Sequence, residues 1–228
     1  MKYYVVKYSG PFGFIKPWTA VRDELTYSQT FLSPPTMKGI SQKLFGLGEM
    51  NRIKRYRLHF DMISEQQEQT WAPLRKITKK KGVKSLNNGI LTRGVLLNPE
   101  LLLAFSSRDD AQKAIEQHIC LCRNEDILLP DNEYGIRGIS EEDFNDLHGF
   151  ELQPSDDPSD IPAGRDRYEE GAPMTYGKLN IQKIHTDSLQ KAVSWIRGYY
   201  TSHVCSKREI QDWVTSLASY WYPTRNSD

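Results

Sequence analysis

The chain has 228 residues, of which 38% are hydrophobic and 26% charged, an ordinary globular composition. No apolar run approaches the ~20 residues of a membrane helix, and Met1-Lys2-Tyr3-Tyr4-Val5-Val6-Lys7 opens without a signal-peptide core. The expected setting is therefore cytoplasmic, with no membrane partner. The net charge of +1 conceals two opposed stretches: residues 51–93 hold eleven Lys and Arg against three acids, and residues 108–170 hold eighteen acids against six basic residues. The basic stretch suits a polyanion; the acidic one would repel it or meet a basic protein.

Residues 2–8, rich in Tyr and Val, predict a strand. A long run of glycine, proline, aromatics and isolated basic residues follows, from Ser9 onward. Residues 34–46 predict a helix. Pro34 and Pro35 are tolerated in its first turn, where N–H groups lack helical partners anyway. Met37, Ile40, Leu44 and Leu47 recur at helical spacing, and Gly46 or Gly48 can end the element. Residues 51–63 alternate between charged positions and Tyr56, Leu58, Phe60 and Met62, as a half-buried strand requires. Residues 65–92 are polar, basic and punctuated by glycine, and Asn88-Gly89 has the composition of a type I′ turn. They predict an extruded arm, a long β-hairpin. Residues 93–105 return to apolar strand with a turn at Asn98-Pro99. Ser107 is a cap candidate, and Asp109, Asp110, Ala111, Ala114 and His118 predict a second helix over 108–122.

The order strand, helix, strand, arm, strand, helix predicts an α+β fold. It matches a ferredoxin-like (RRM-like) β-α-β-β-α-β core whose last strand is 126–129 or 134–139. Residues 140–144 read as a helix start. Residues 153–175, acidic and proline-rich, predict a solvated loop. A strand over 176–184 and amphipathic helices over 187–200 and 207–220 complete the chain, with Ile210, Trp213, Val214 and Leu217 on one face. The expected organisation is a domain over 1–152 with its arm at about 65–92, a loop over 153–175, and a helical C-terminal extension over 176–228 packed on the core.

Cys120, Cys122 and Cys205 form neither a disulfide framework nor a zinc spacing. His59, His118, His148, His185 and His203 make no H-x-x-x-H or H-E-x-x-H pattern, and the phosphate-loop, nucleophile-elbow and dinucleotide motifs are absent. No metal, cofactor or catalytic residue is expected. The strongest physical signal is the run from Arg75 to Arg93, seven basic residues with no acid between them. Lysine and arginine neutralise phosphates and release condensed counterions. Tyr56 and Trp71 among them can stack on unpaired bases. A metal-independent endoribonuclease remains open as an alternative, with Lys79-Lys80-Lys81 supplying charge near a scissile phosphate. So does a scaffold that meets another protein through its acidic 141–170 surface.

After the first strand come Gly10-Pro11-Phe12, Phe14 and Pro17; then Tyr27 and Pro34-Pro35-Thr36 lead into a helix carrying Lys38-Gly39-Ile40. In these motifs the chain resembles CRISPR-associated protein family five. That family supplies the repeat-associated (RAMP) subunit capping the 5′ end of the guide RNA (crRNA) in type I Cascade complexes, which serve antiviral defence. The match is strongest over residues 3–46. Residues 93–105 are similar to a later family strand, and the C-terminal part matches no family motif. The resemblance implies a ferredoxin-like core gripping the crRNA 5′ handle, with an extruded thumb over the RNA. It further implies contacts with the backbone and large subunits, and target DNA met through the assembled complex.

One branch of the family, the type I-C-like one, also cleaves precursor crRNA, using a Tyr at the end of the first helix and a Lys-His dyad. Here Phe45 takes the Tyr position and the chain has no Lys-His pair. The resemblance therefore implies binding without cleavage; it leaves open the subtype, the repeat sequence, and whether the complex destroys DNA or guides its insertion.

On this reading the first loop is a clasp. Gly10 and Gly13 let the backbone approach a ligand closely. Lys16, Arg22 and Lys38 meet phosphates, and Trp18 and Tyr27 stack on splayed bases. Thr36 opens a helix whose N-terminal N–H groups favour an anion. Arg55 and Arg57 on the basic strand, with Arg75, Lys76, Lys79, Lys80, Lys81 and Lys84 on the arm, complete the expected RNA-binding set. Phe12, Phe14 and Phe31 are read as core.

Overall fold

The computed structural model describes residues 1–17, 25–71, 78–80, 83–85, 88–166 and 170–182. The chain divides into two units, Met1–Ile184 and His185–Asp228. The second unit, with both expected C-terminal helices, lies outside the described residues.

The alternation of strand β1 (Lys2–Ser9) buries Tyr3 and Val5 on one face and Val6 and Tyr8 on the other, so the core forms on both sides of it. One edge of β1 pairs with β9 (Glu100–Phe105), and β9 pairs with β4 (Ile53–His59). The other edge is shared end to end. Strand β11 (Ile127–Pro130) takes Tyr8 and Ser9, and β12 (Ile136–Ser140) takes Lys2 to Val6. Both candidates for the last strand thus exist. Helix α1 (Pro34–Phe45) falls between β1 and β4 in the chain, and α2 (Arg108–Ile115) follows β9. The fold is mixed α+β. Among the described residues every strand pairing is antiparallel except one, that of β3 (Leu25–Tyr27) with β8 (Asn88–Leu97).

Local chemistry explains the element ends. Ser33 caps α1 by accepting from the Thr36 N–H, and Gly46 leaves the helix at φ +102°, a conformation glycine adopts without strain. Helix α3 (Glu141–Asn145) begins with a reciprocal Ser140–Asp143 capping box and carries Phe144 onto Tyr3, ring centroids 5.6 Å apart. Burying Phe144 there contributes about 1.5–3 kcal/mol. Tyr8 spans to the other layer, its hydroxyl donating to the Ala114 carbonyl at 2.6 Å.

Three expectations change. Helix α2 stops at Ile115 rather than 122, because Asp126 folds a turn by accepting from the Arg123 N–H, Nε and Nη2. That turn draws β10 (Ile119–Cys120) onto β11. The strand expected over 51–63 is two strands: β4 ends at His59, and β5 (Met62–Trp71) leaves in a new direction after the Asp61 N–H bonds Leu97 O at 3.0 Å. The 153–175 stretch is not loop throughout. Strand β13 (Gly149–Ser155) pairs β4 through Phe150 and Leu58, and β14 (Ile161–Arg165) pairs β15 (Met174–Gln182), which pairs β13. Ile161 and Ala163 are buried. Pro162 is tolerated because β14 ends the strand order and its register shifts between Pro162 and Gly164.

The arm is a ribbon. Strand β5 pairs with β8 along its whole length, from Met62 opposite Leu97 to Trp71 opposite Asn88. Farther along the chain β6 (Thr78–Lys80) pairs with β7 (Val83–Ser85). Asn88-Gly89 is therefore not the turn. Both residues lie in the ladder, opposite Trp71 and Thr70, and the innermost pair of the hairpin is Lys80 with Val83.

Candidate nucleic-acid interface

The first loop is stitched to the base of the arm. Strand β2 (Phe12–Gly13) pairs with Leu97 and Leu96, and β3 runs parallel to Thr92–Gly94. Since β5 covers one edge of β8 throughout, β2 and β3 share the other. The Ser28 N–H extends the stitch to Gly94 O at 2.7 Å, and the Asn98 N–H donates to Pro11 O at 3.0 Å. Tyr27 lies against Gly94, where an added Cβ would sit 2.1 Å from a ring carbon. Its hydroxyl donates to the Glu65 carboxylate, and that bond raises the Tyr27 pKa. Phe14 is buried beneath two guanidiniums, with Arg93 Cζ 5.7 Å and Arg123 Cζ 5.5 Å from its ring centroid. Glu68 faces both, 3.6 Å from Arg93 Nε and 3.9 Å from Arg123 Nη1.

The structure sorts the expected RNA-contacting residues. Lys16 is exposed in the first loop, after β2. Lys79 and Lys80 lie in β6 and Lys84 in β7, with Lys79 in register opposite Lys84. Trp18, Arg22, Arg75, Lys76 and Lys81 lie outside the described residues. Thr36 is the third residue of α1, its hydroxyl 2.9 Å from Ser33 Oγ. Lys38 is already engaged, in an ion pair with Asp166.

Arg55, Arg57 and Tyr56 are corrections, because all three serve the interior. Arg55 donates from Nε and Nη2 to Glu151 at 2.8 and 2.6 Å and from Nη1 to Asn145 at 2.7 Å. The Arg55–Glu151 bond raises the Arg55 pKa. Arg57 is 0% exposed, its Nη2 3.7 Å from Glu151, and burial lowers its pKa. Its Nε and Nη1 have no hydrogen-bond partner. The buried Tyr56 hydroxyl donates to Leu32 O at 2.8 Å and accepts from the Leu32 and Leu152 N–H groups at 3.0 and 2.6 Å. It ties the end of the first loop to β13 and offers no face to a base.

The anion site expected at the start of α1 is also closed. Pro34 and Pro35 carry no N–H, the Thr36 N–H donates to Ser33 Oγ, and the Met37 N–H donates to Ser33 O at 3.0 Å. Any anion there is met by side chains. A cavity of about 370 Å³ lies alongside, bounded by the first loop, one face of α1, residues 119–122 and β14. Lys16, Lys43 and Arg165 line it, and among the described residues no acid does. Lys43, Arg165 and Arg123 are not among the residues the sequence singles out; Arg93 is there only as the end of the basic run. Lys43 follows Gly39 by four residues on one helical face, which a helical-wheel reading could have found. Arg165 sits in the stretch whose composition predicts a solvated loop.

Among the described residues no three His, Cys, Asp or Glu side chains gather as metal ligands, and no helix is long and apolar enough to cross a membrane. Cys120 and Cys122 are free thiols.

No family model and no curated protein matches the chain. Among solved structures, a chain of a "CRISPR RNA-guided surveillance complex" is similar at 9% identity, over 86% of this chain and 99% of that one, with a TM-score of 0.43. That score is too low to fix a shared fold.

Proposed function

We propose that the chain is a noncatalytic crRNA-binding subunit of a type I CRISPR Cascade complex, capping the 5′ handle of the guide RNA and helping to assemble the complex on target DNA. The observation that carries this reading is the single sheet shared by the first loop and the arm, β2 and β3 on one edge of β8 and β5 on the other. The first loop and the base of the arm, built on one strand, hold a fixed geometry, and with Lys79, Lys80 and Lys84 of β6 and β7 farther along the chain they can clasp one short strand. Single-stranded RNA is read in this way, by phosphate contacts and splayed bases. The order of the central strands, with β11 and β12 followed by β1, β9 and β4, supports a ferredoxin-like core, since α1 and α2 follow its first and third strands. The arm at 65–92 serves as the thumb.

Phe45 supports binding without cleavage: its ring packs edge-on against Phe105 at 5.8 Å and offers no proton. Partners on this reading are crRNA, the backbone and large subunits, and target DNA through the assembly.

The test is copurification. Full-length protein expressed with a repeat array should carry RNA that ribonuclease removes, and the Lys79→Glu, Lys80→Glu, Lys81→Glu triple variant should lose most of it. Unchanged retention, assembly and target binding in that variant would overturn the thumb assignment. Incubation with precursor repeat RNA in chelator should leave the RNA whole; a single specific cut would establish the endoribonuclease instead.

A further inference from the structure

The cavity beside α1 mixes two chemistries. Three cations, Lys16, Lys43 and Arg165, border it with no carboxylate among the described lining residues, while Ile15, Ile40 and Leu121 give it apolar walls. Its volume of about 370 Å³ falls at the small end of ligand pockets, which run roughly 300–1,000 Å³. Gln29 also lines it, and that side chain is out of place energetically: it is 3% exposed, and its amide nitrogen has no hydrogen-bond partner. Leaving such a donor unpaired is costly. A cation-rimmed, partly apolar cavity with one waiting donor is shaped for a planar heterocycle that offers an acceptor and trails a phosphate.

We infer that this cavity takes one nucleotide of the bound strand. Its base lies against the apolar walls with an acceptor on the Gln29 amide, and its phosphate is met by Lys16, Lys43 and Arg165. The inference deepens the RNA-binding reading and rests on it. It also assigns work to β14, whose Ala163, Gly164 and Arg165 close the cavity and which lies outside the stretches that carry the family resemblance. Pro34 and Pro35 fit the same picture. With no N–H to offer at the helix start, α1 leaves recognition to side chains, so the base decides affinity and not the phosphate alone.

A mononucleotide is too small to bridge loop and arm, so it tests the cavity separately from the clasp. Full-length protein is titrated with AMP, GMP, CMP and UMP, with the matching nucleosides, and with inorganic phosphate. Occupancy is read as protection of Cys122, an exposed thiol lining the cavity, from N-ethylmaleimide. One nucleotide should protect at least about tenfold better than phosphate. Lys43→Ala and Arg165→Ala, both at exposed positions, should weaken it by a similar factor. Gln29→Leu should level the four nucleotides while leaving phosphate unchanged. The arm triple variant should protect as the parent does, even if it loses long RNA. Equal protection by phosphate and nucleotides, or no protection by any of them, overturns the inference. So does a base preference that survives in Gln29→Leu; should that variant fail to fold, the Lys43→Ala and phosphate comparisons decide.

Discussion

Replacing Glu151 with Gln should unfold much of the protein's margin of stability. Glu151 is 2% exposed and faces two arginines at once, Arg55 at 2.6 Å and the fully buried Arg57 at 3.7 Å. Glutamine keeps the shape and removes the charge. At an effective dielectric of about 20, opposite charges 4 Å apart attract by ~4 kcal/mol. Breaking a buried pair by removing one partner costs about 3–5 kcal/mol. A domain holds roughly 5–15 kcal/mol in total, so the loss is about a fifth of it or more. With a urea m-value of about 2 kcal/mol/M, the unfolding midpoint should fall by ~2 M. The companion variant Arg57→Met removes a guanidinium whose Nε and Nη1 have no partners and leaves Arg55 and Glu151 matched one to one. It should cost under about 1 kcal/mol, since burying an apolar side chain in place of an ion is often neutral. It should also leave RNA affinity unchanged. A Glu151→Gln midpoint within ~0.3 M of the parent refutes the electrostatic argument. Lower RNA affinity in a stable Arg57→Met protein refutes the reassignment of Arg57 to the interior.

Gly94→Ala drives a methyl into the Tyr27 ring; overpacking of this kind costs about 1–3 kcal/mol. By loosening β3 from β8 it should lower affinity for single-stranded RNA more than Ala substitution at exposed Glu65 does, measured by filter binding. Burial raises the Tyr56 and Tyr8 pKa values, so both stay neutral in the fold while free tyrosine ionises near pH ~10. Their contribution is whole below pH ~10 and is lost as pH rises beyond it, because the unfolded chain ionises first. Tyr56→Phe should therefore flatten the alkaline fall in thermal midpoint; an unchanged slope would contradict this. If the arm tracks a single strand, the Lys79, Lys80, Lys81 triple variant should reduce the slope of log K against log salt by about 2.

Elements whose pattern is local were legible in the sequence. The Tyr-Val strand, the Pro34-Pro35 helix with its glycine stop, and the Ser140 helix start all report through spacing and caps. What the sequence hid depends on distant partners. Asn88-Gly89 carries turn chemistry, yet a ladder of pairs with β5 holds it in a strand. Residues 161–165 look like loop because of Pro162 and Gly164, but a register shift on the last strand of the order absorbs both. Arg55 and Arg57 alternate like a solvent-facing basic strand, and nothing local announces Glu151, which faces them from ~95 residues away in the chain. The candidate site was half legible for the same reason. The cations of the first loop and arm stand out in a count, whereas Lys43, Arg165 and Gln29 come together only when β14 closes against α1.

The central claim is that the first loop and the arm hold one RNA strand between them. Ultraviolet crosslinking of the copurified particle, followed by mass spectrometry of the protein–RNA adducts, tests it most directly. Adducts should fall both within residues 12–29 and within 78–85, on nucleotides from the same end of the guide. Adducts confined to the acidic 141–170 surface, or absent from both of the named segments, would contradict it.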